Sequence, residues 1–295
     1  IIEAPGNEER NGWVEDKEVR LNARRDFQIG SASAAVQFGG AVKINDRARQ
    51  WTRQAFAFLG ADGKSNTADD NAGVLVDMNA RPRDFGYGWP SDMQWTDQEK
   101  FYKIYESNPE YFQLDRAAGH ILEAQADDGF KETLTALYTQ GEVSLLSNRL
   151  TLIGGVRWER TEDTGYGMKV DQSAGLDLTD PYERAKAQYI KRGARAAVTY
   201  DDFYPSAATT FKITENLLFR FGYSRTLGRP NIDNLIPRIT ESDSDVNGYD
   251  GTLNVRNPAL KPWTADNFDV SLEYYFSNGG VASVGAFRKF ISDPF

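Results

Sequence analysis

Between residues 266 and 276 apolar and polar side chains alternate without a break. Phe268, Val270, Leu272, Tyr274 and Phe276 stand against Asn267, Asp269, Ser271, Glu273 and Tyr275. A period of two predicts a strand with one apolar and one wet face. The pattern recurs and predicts four hairpins. Residues 18–27 meet 33–46 through Gln28, Ile29 and Gly30, with Val36, Phe38, Val42 and Ile44 on one face; the run towards Phe58 predicts a longer strand or a bulge. Residues 130–145 meet 148–162 around Leu146 to Asn148, with Leu150, Leu152, Val156 and Trp158 aligned. Residues 204–213 meet 216–226 around Thr214 to Asn216, with Leu217, Phe219, Phe221 and Tyr223 aligned. Residues 266–276 meet 281–291 through Ser277 to Gly280, a strong hairpin signal.

Long connections separate the pairs, at about 61–129, 163–203 and 227–264, with short helices expected around Glu99–Ser107 and Pro181–Arg195. Loops of this length are uncommon in small domains and tend to be functional or disordered. The expected fold is all-β. Short turns alternating with long loops fit about eight strands of an antiparallel transmembrane β-barrel, with helices in the extracellular loops. A water-soluble β-sandwich or solenoid alternates in the same way, so periodicity leaves the solvent of the apolar face open.

Composition narrows the choice. Mean hydropathy is −0.58, and no stretch approaches the roughly 20 apolar residues of a membrane helix. A barrel stays compatible, because only alternate strand residues must be apolar. Of the 295 residues 13% are aromatic, there are no cysteines, and the net charge is −9. That charge argues against a nucleic-acid partner, which needs a basic surface. The missing thiols exclude disulfides and iron–sulfur clusters. Residues 1–20 lack the apolar core of a signal peptide.

Ordered motifs add a resemblance. YPSAATTFKITENLLFRFGYSRTLGRPNIDNLIPR (204–238) and NPALKPWTADNFDVSLEYYFSNGGVASVGAFRKFISD (257–293) resemble the C-terminal half of TonB-dependent receptors, active importers of the Gram-negative outer membrane. NRLTLIGGVRWERTE (148–162) is similar to the strand just upstream in that family, and KEVRLNARRDF with the following strand also fits. The likeness is nearest the branch frequent in Xanthomonas- and Caulobacter-like bacteria. It implies that residues 1–295 are a part of the barrel domain, lacking the plug domain and the C-terminal closing strand. The family barrel has about 22 strands around a plugged lumen, so about eight strands imply an open sheet with two exposed edges. The resemblance further implies outer-membrane lipid around the wall and a plug and TonB as partners. It also implies a scarce cargo, a carbohydrate or a siderophore–iron complex, moved without covalent chemistry. The alternative of another class is a soluble extracellular β-sandwich binding carbohydrate or calcium.

Three constellations carry candidate chemistry. GADGKSNTADDNAG (60–73) gathers Asp62, Asp69 and Asp70, oxygen ligands that suit calcium; equally, they suit a solvated Asx-rich turn. Otherwise no cofactor is expected. ARPRDFGYGWPSDMQW (80–95) brings Arg81, Arg83, Tyr87, Trp89 and Trp95 into one loop. Such residues suit stacking on sugars or gripping an anionic chelate, and they also suit loop packing. Tyr223, Arg225, Arg229 and Asp233 sit where strand meets loop and are expected to fix wall geometry. Trp158, Tyr223 and Phe276 suit an interfacial aromatic belt. His120, the single histidine, has no identifiable catalytic partner. No nucleophile elbow or phosphate-cradling loop is present, so no enzyme is expected.

Overall fold

Alternation builds one dominant sheet. The computed structural model describes residues 8–64, 67, 69, 98–242, 252–256 and 260–294. Its long strands are β1 (Glu8–Ile29) and β2 (Ala32–Arg53), then, after the short β3 (Ala55–Phe58) and β4 (Phe112–Asp115), β5 (Asp128–Leu145), β6 (Leu150–Val170), β7 (Tyr189–Lys212) and β8 (Leu217–Gly228). The short β9 (Ile239–Ser242) and β10 (Thr252–Val255) precede β11 (Trp263–Tyr275) and β12 (Val281–Ser292). Eight of them form one sheet in the order β1-β2-β5-β6-β7-β8-β11-β12, so each long strand lies beside its sequence neighbour. The excursions between long strands pair within themselves, β3 with β4 and β9 with β10. All four expected hairpins are present.

Each tight turn has a local cause. Gly30 and Gly279 hold φ of +63° and +88°, a region open to glycine at little cost. The β7–β8 turn is held by Thr214, whose Oγ1 accepts from the amides of Asn216 and Leu217 at 3.3 and 3.0 Å. The β5–β6 turn runs through Leu146, Ser147 and Asn148, all at positive φ.

The two faces of the sheet differ as the alternation predicts. Phe268, Val270 and Leu272 are each 38% exposed, and Val36, Phe38, Val42, Leu152, Val156 and Phe221 are exposed with them. On the opposite face, polar side chains bond to one another across strands. Thus the apolar positions are the uncovered ones, the reverse of a water-soluble core.

Several boundaries differ from those expected. β1 begins at Glu8, and β6 and β7 extend through 163–170 and 189–203, placed in a loop by the sequence reading. The bonded face of that part of β6 carries Thr161, Asp163, Gly165 and Gly167, and on the other parity Glu162 and Thr164 precede Tyr166, Met168 and Val170, so the apolar alternation lapses before it resumes at the strand's end. The helix α1 (Gln98–Ser107) is found, an unforeseen α2 (Arg116–Ala126) follows, and α3 (Pro181–Gln188) stops before Tyr189, where β7 starts. β2 ends at Arg53, and Gln54 separates it from β3.

The chain divides into two units. The first comprises Ile1–Gly12, Arg49–Asp127 and Met168–Gly193; the second comprises Trp13–Ala48, Asp128–Gly167 and Ala194–Phe295. In the first, an aromatic core forms around buried Phe101 and Phe112, with Phe56, Phe58 and Tyr105 against it. Asp115 and Asp180 cap α2 and α3 by accepting from the amides of Ala118 and Tyr182. In the second, Phe130, Leu235 and Ile236 form a small core where the segment after β8, including the short α4 (Ile232–Leu235), folds onto β5 and β6. A Cβ on Gly165 would meet the Leu235 carbonyl oxygen at 2.7 Å, so only glycine lets that backbone lie on the strand.

Candidate functional site

The polar face of the second unit is a lattice of charge and amide pairs. Gln37 donates to Tyr138 Oη at 2.8 Å, and that hydroxyl donates to Asn22 at 2.8 Å, joining β2, β5 and β1. Tyr138 crosses above Gly39, where a Cβ would meet its ring at 2.7 Å. Arg24 pairs with Asp26 at 3.0 Å and Glu142 at 3.3 Å, while Arg220 pairs with Glu273 at 3.1 Å. These contacts bond β8 to its neighbour β11 and reach from β1 over β2 to β5, and they present charge on the face opposite the apolar one.

Arg229, at the end of β8, is the densest node. Its guanidinium lies 3.1 Å from Glu159, 3.5 Å from Glu132 and 3.4 Å from Thr161 Oγ1. Tyr223 donates to Asp266 at 2.9 Å and stacks on Phe268 with ring centroids 5.0 Å apart. Arg225 pairs with Asp202 at 2.8 Å. Asp233 starts the turn of α4, its amide donating to Asn231 Oδ1 and its carbonyl accepting from Arg256. Tyr223 thus binds β8 to β11, Arg225 binds it to β7, Arg229 reaches β5 and β6, and Asp233 contributes backbone atoms to the segment that follows; the four do not converge on one point.

The first unit holds a cluster that the sequence reading missed. Arg10, Arg49 and Arg53 surround the Trp51 ring, with guanidinium carbons 4.3, 5.6 and 4.9 Å from its centroid. Within the same unit Glu123 accepts from the Arg53 amide at 3.0 Å and pairs with Lys191 at 2.7 Å, and Asp127 pairs with Arg192. A signal was available in DRARQWTR (46–53), where Arg47, Arg49, Trp51 and Arg53 fall on alternate positions.

Of the expected calcium residues, Asp62 and Asp69 are described. Asp69 accepts from the Asp62 amide at 2.9 Å and from Thr67 Oγ1 at 2.7 Å, and Asp62 accepts from the Lys64 amide at 2.8 Å. The Thr67 hydroxyl, and after it the Asp62 amide, holds the Asp69 carboxyl below the ordinary carboxylate value. Asp70 and the loop residues Arg81, Arg83, Tyr87, Trp89 and Trp95 lie outside the described residues. His120 Nε2 sits 2.9 Å from the Tyr189 carbonyl oxygen, a structural contact.

Comparison with known proteins decides what this sheet is. The family profile described as TonB dependent receptor-like, beta-barrel matches residues 3–295. The chain belongs to the TonB-dependent receptor family. Its apolar face is therefore the lipid-facing wall of an outer-membrane barrel, and its polar face lines the lumen. The soluble sandwich is set aside. Among the described residues no helix is long and apolar enough to cross a membrane; crossing is by strands. The alcaligin outer-membrane receptor FauA of Bordetella pertussis is similar in structure, with a TM-score of 0.50, 12% identity, and coverage of 96% of this chain and 30% of that one. The siderophore receptor PiuA of Acinetobacter baumannii is similar too, with a TM-score of 0.50, 15% identity, and coverage of 94% and 32%. The chain thus spans about a third of the length of these receptors. A comparison with curated proteins finds no match.

The receptor barrel frame fixes directions. Short turns such as Gly30–Ser31 and Ser277–Gly280 lie on the periplasmic side, and the longer connections lie outside the cell. Of the residues expected in an aromatic belt, Trp158 donates to Asp201 at 3.2 Å and Phe276 meets Tyr274 edge-on with ring centroids 4.9 Å apart.

Proposed function

We propose that this chain forms part of the wall of an outer-membrane importer whose cargo is an anionic iron chelate of the siderophore class. The observation that carries the reading is Trp51 with its three surrounding guanidiniums. An indole flanked by Arg offers a flat apolar surface beside fixed positive charge, which suits a planar, anionic chelate better than a neutral sugar. The names of FauA and PiuA point to the same cargo class. Arg81, Arg83, Tyr87, Trp89 and Trp95 extend the proposal as a second grip from the loop before α1. Release of the cargo draws on a plug domain and on energy passed from TonB, so no covalent step is needed.

The test is uptake by cells whose only receptor of this type carries the chain. Uptake of a labelled ferric siderophore that requires TonB and is lost in an Arg49→Ala, Arg53→Ala double variant supports the reading. Uptake of an oligosaccharide with no response to those substitutions overturns it in favour of a carbohydrate cargo.

A further inference from the structure

Arg24 and Arg25 are adjacent, yet their surroundings are opposite. Arg24 faces the lumen and is held by Asp26 and Glu142. Strand alternation turns Arg25 to the lipid-facing side with Phe27 and Ile29. It is exposed there, and among the described residues it makes no hydrogen bond or ion pair. A cation on the lipid face is costly near the middle of the bilayer and tolerated near its edge, where a long side chain reaches the headgroups. Arg25 is four residues from Ile29, the last residue of β1. At a strand tilt near 45° that places it about 9 Å above the periplasmic edge, within reach of a phosphate.

A groove of about 550 Å³ crosses the same face, and its lining from β1 is Phe27 and Ile29, the residues that follow Arg25 on that side of the strand. Its floor is made of one small residue from each of four neighbouring strands: Ala34, Gly141, Gly154 and Ala207. Gly141 and Gly154 are register partners. Sheet packing does not require glycine at either: a Cβ would find its nearest atom at 4.0 and 3.9 Å. At Gly155, by contrast, a Cβ would meet the Thr139 carbonyl oxygen at 2.6 Å. The two glycines therefore leave space on the lipid side, between ridges that include Phe27 and Phe221. Four strands span about 14 Å across the groove, room for a length of acyl chain.

We propose that this groove and Arg25 form a site for an anionic glycerophospholipid of the periplasmic leaflet. The phosphate pairs with Arg25 and one acyl chain lies over Gly141 and Gly154. The occupant is a lipid because the groove is continuous with the membrane-facing band. It belongs to the periplasmic leaflet because every floor residue lies in the turn-proximal part of its strand. The proposal rests on the barrel's orientation and is independent of the cargo.

The test is native mass spectrometry of the receptor carrying this chain, released from nanodiscs of phosphatidylethanolamine with and without phosphatidylglycerol. The wild type should retain phosphatidylglycerol in preference by about five-fold. Arg25→Gln should abolish the preference and Arg25→Lys should keep it. Gly154→Leu should lose the retained lipid of either headgroup, and Ala207→Leu serves the same purpose if Gly154→Leu does not fold. Equal retention in all variants, or a preference that survives Arg25→Gln, would show annular lipid only and overturn the site.

Discussion

Arg229 reaches Glu159 at 3.1 Å across 70 residues of sequence, and the same guanidinium lies 3.5 Å from Glu132. One side chain at the end of β8 thus clamps β5 and β6 on the lumen side. Arg229→Ala leaves two carboxylates of low exposure without their shared cation, and should cost about 1.5–3 kcal/mol. Arg229→Lys should recover less than half, because an ammonium cannot present the planar fork that spans two carboxylates. Denaturant titration of the refolded receptor in detergent reads both. A loss under about 0.5 kcal/mol for the alanine variant would remove Arg229 from this role.

The backbone of Leu235 and Pro237 lies where side chains of Gly165 and Gly167 would stand. Gly165→Val should displace that segment, expose Phe130 and Ile236, and cost about 1–3 kcal/mol as an overpacked site. Limited proteolysis should then cut within 229–238 while the strands stay resistant. Gly222→Ala is the control. Its Cβ would meet only Asp269 Cβ at 3.9 Å, and proteolysis should not change.

Tyr223 combines two contacts that one substitution separates. Tyr223→Phe keeps the ring on Phe268 and loses the hydrogen bond to Asp266, so about 1 kcal/mol should go. Tyr223→Ala loses the stack as well and should cost at least twice as much, the aromatic pair adding about 0.5–1.5 kcal/mol beyond buried area. Equal losses in the two variants, measured by the same titration, would leave the hydroxyl as the whole effect.

What the sequence disclosed follows the solvent of each face. Within the bilayer most outward residues are apolar, so Phe268 to Phe276 and Leu150 to Trp158 announced their strands, faces and turns. Further along the strands both faces are polar or packed against chain. β6 continues through Thr161, Asp163, Gly165 and Gly167, with Glu162 and Thr164 on the other parity and apolar residues returning only at Tyr166, and β7 begins at Tyr189 without a hydrophobic period. Trp51 and its arginines went unnoticed for a related reason. They continue the lumen-facing parity of β2, where polar residues on alternate positions are the rule and single out no site. The expectation of a wall role for Arg229 came with the motif that carries the family resemblance, whereas its partners Glu132 and Glu159 come from distant strands and needed the fold.

The loop around Gly60 offers a test that separates an Asx-type turn from a calcium site. Thr67 and the Asp62 amide stabilise the charged form of Asp69, lowering its folded pKa below the unfolded value. A lowered carboxylate contributes stability above the unfolded value of about 3.9 and loses it as pH falls through the folded value. Protection of the Asp62 amide in hydrogen exchange, corrected for intrinsic rate, should be flat from neutral pH down to about pH 5 and decline only below about pH 3.9. Thr67→Val removes the largest cause and brings the folded value closer to the unfolded one, so protection at neutral pH should be weaker and the decline below about pH 3.9 smaller. A calcium chelator should leave the protection at neutral pH unchanged, because the oxygens of Asp62 and Asp69 already accept from donors of the loop itself. Protection that rises on adding calcium, and does so less in Asp69→Asn, would instead assign these carboxylates to a bound cation.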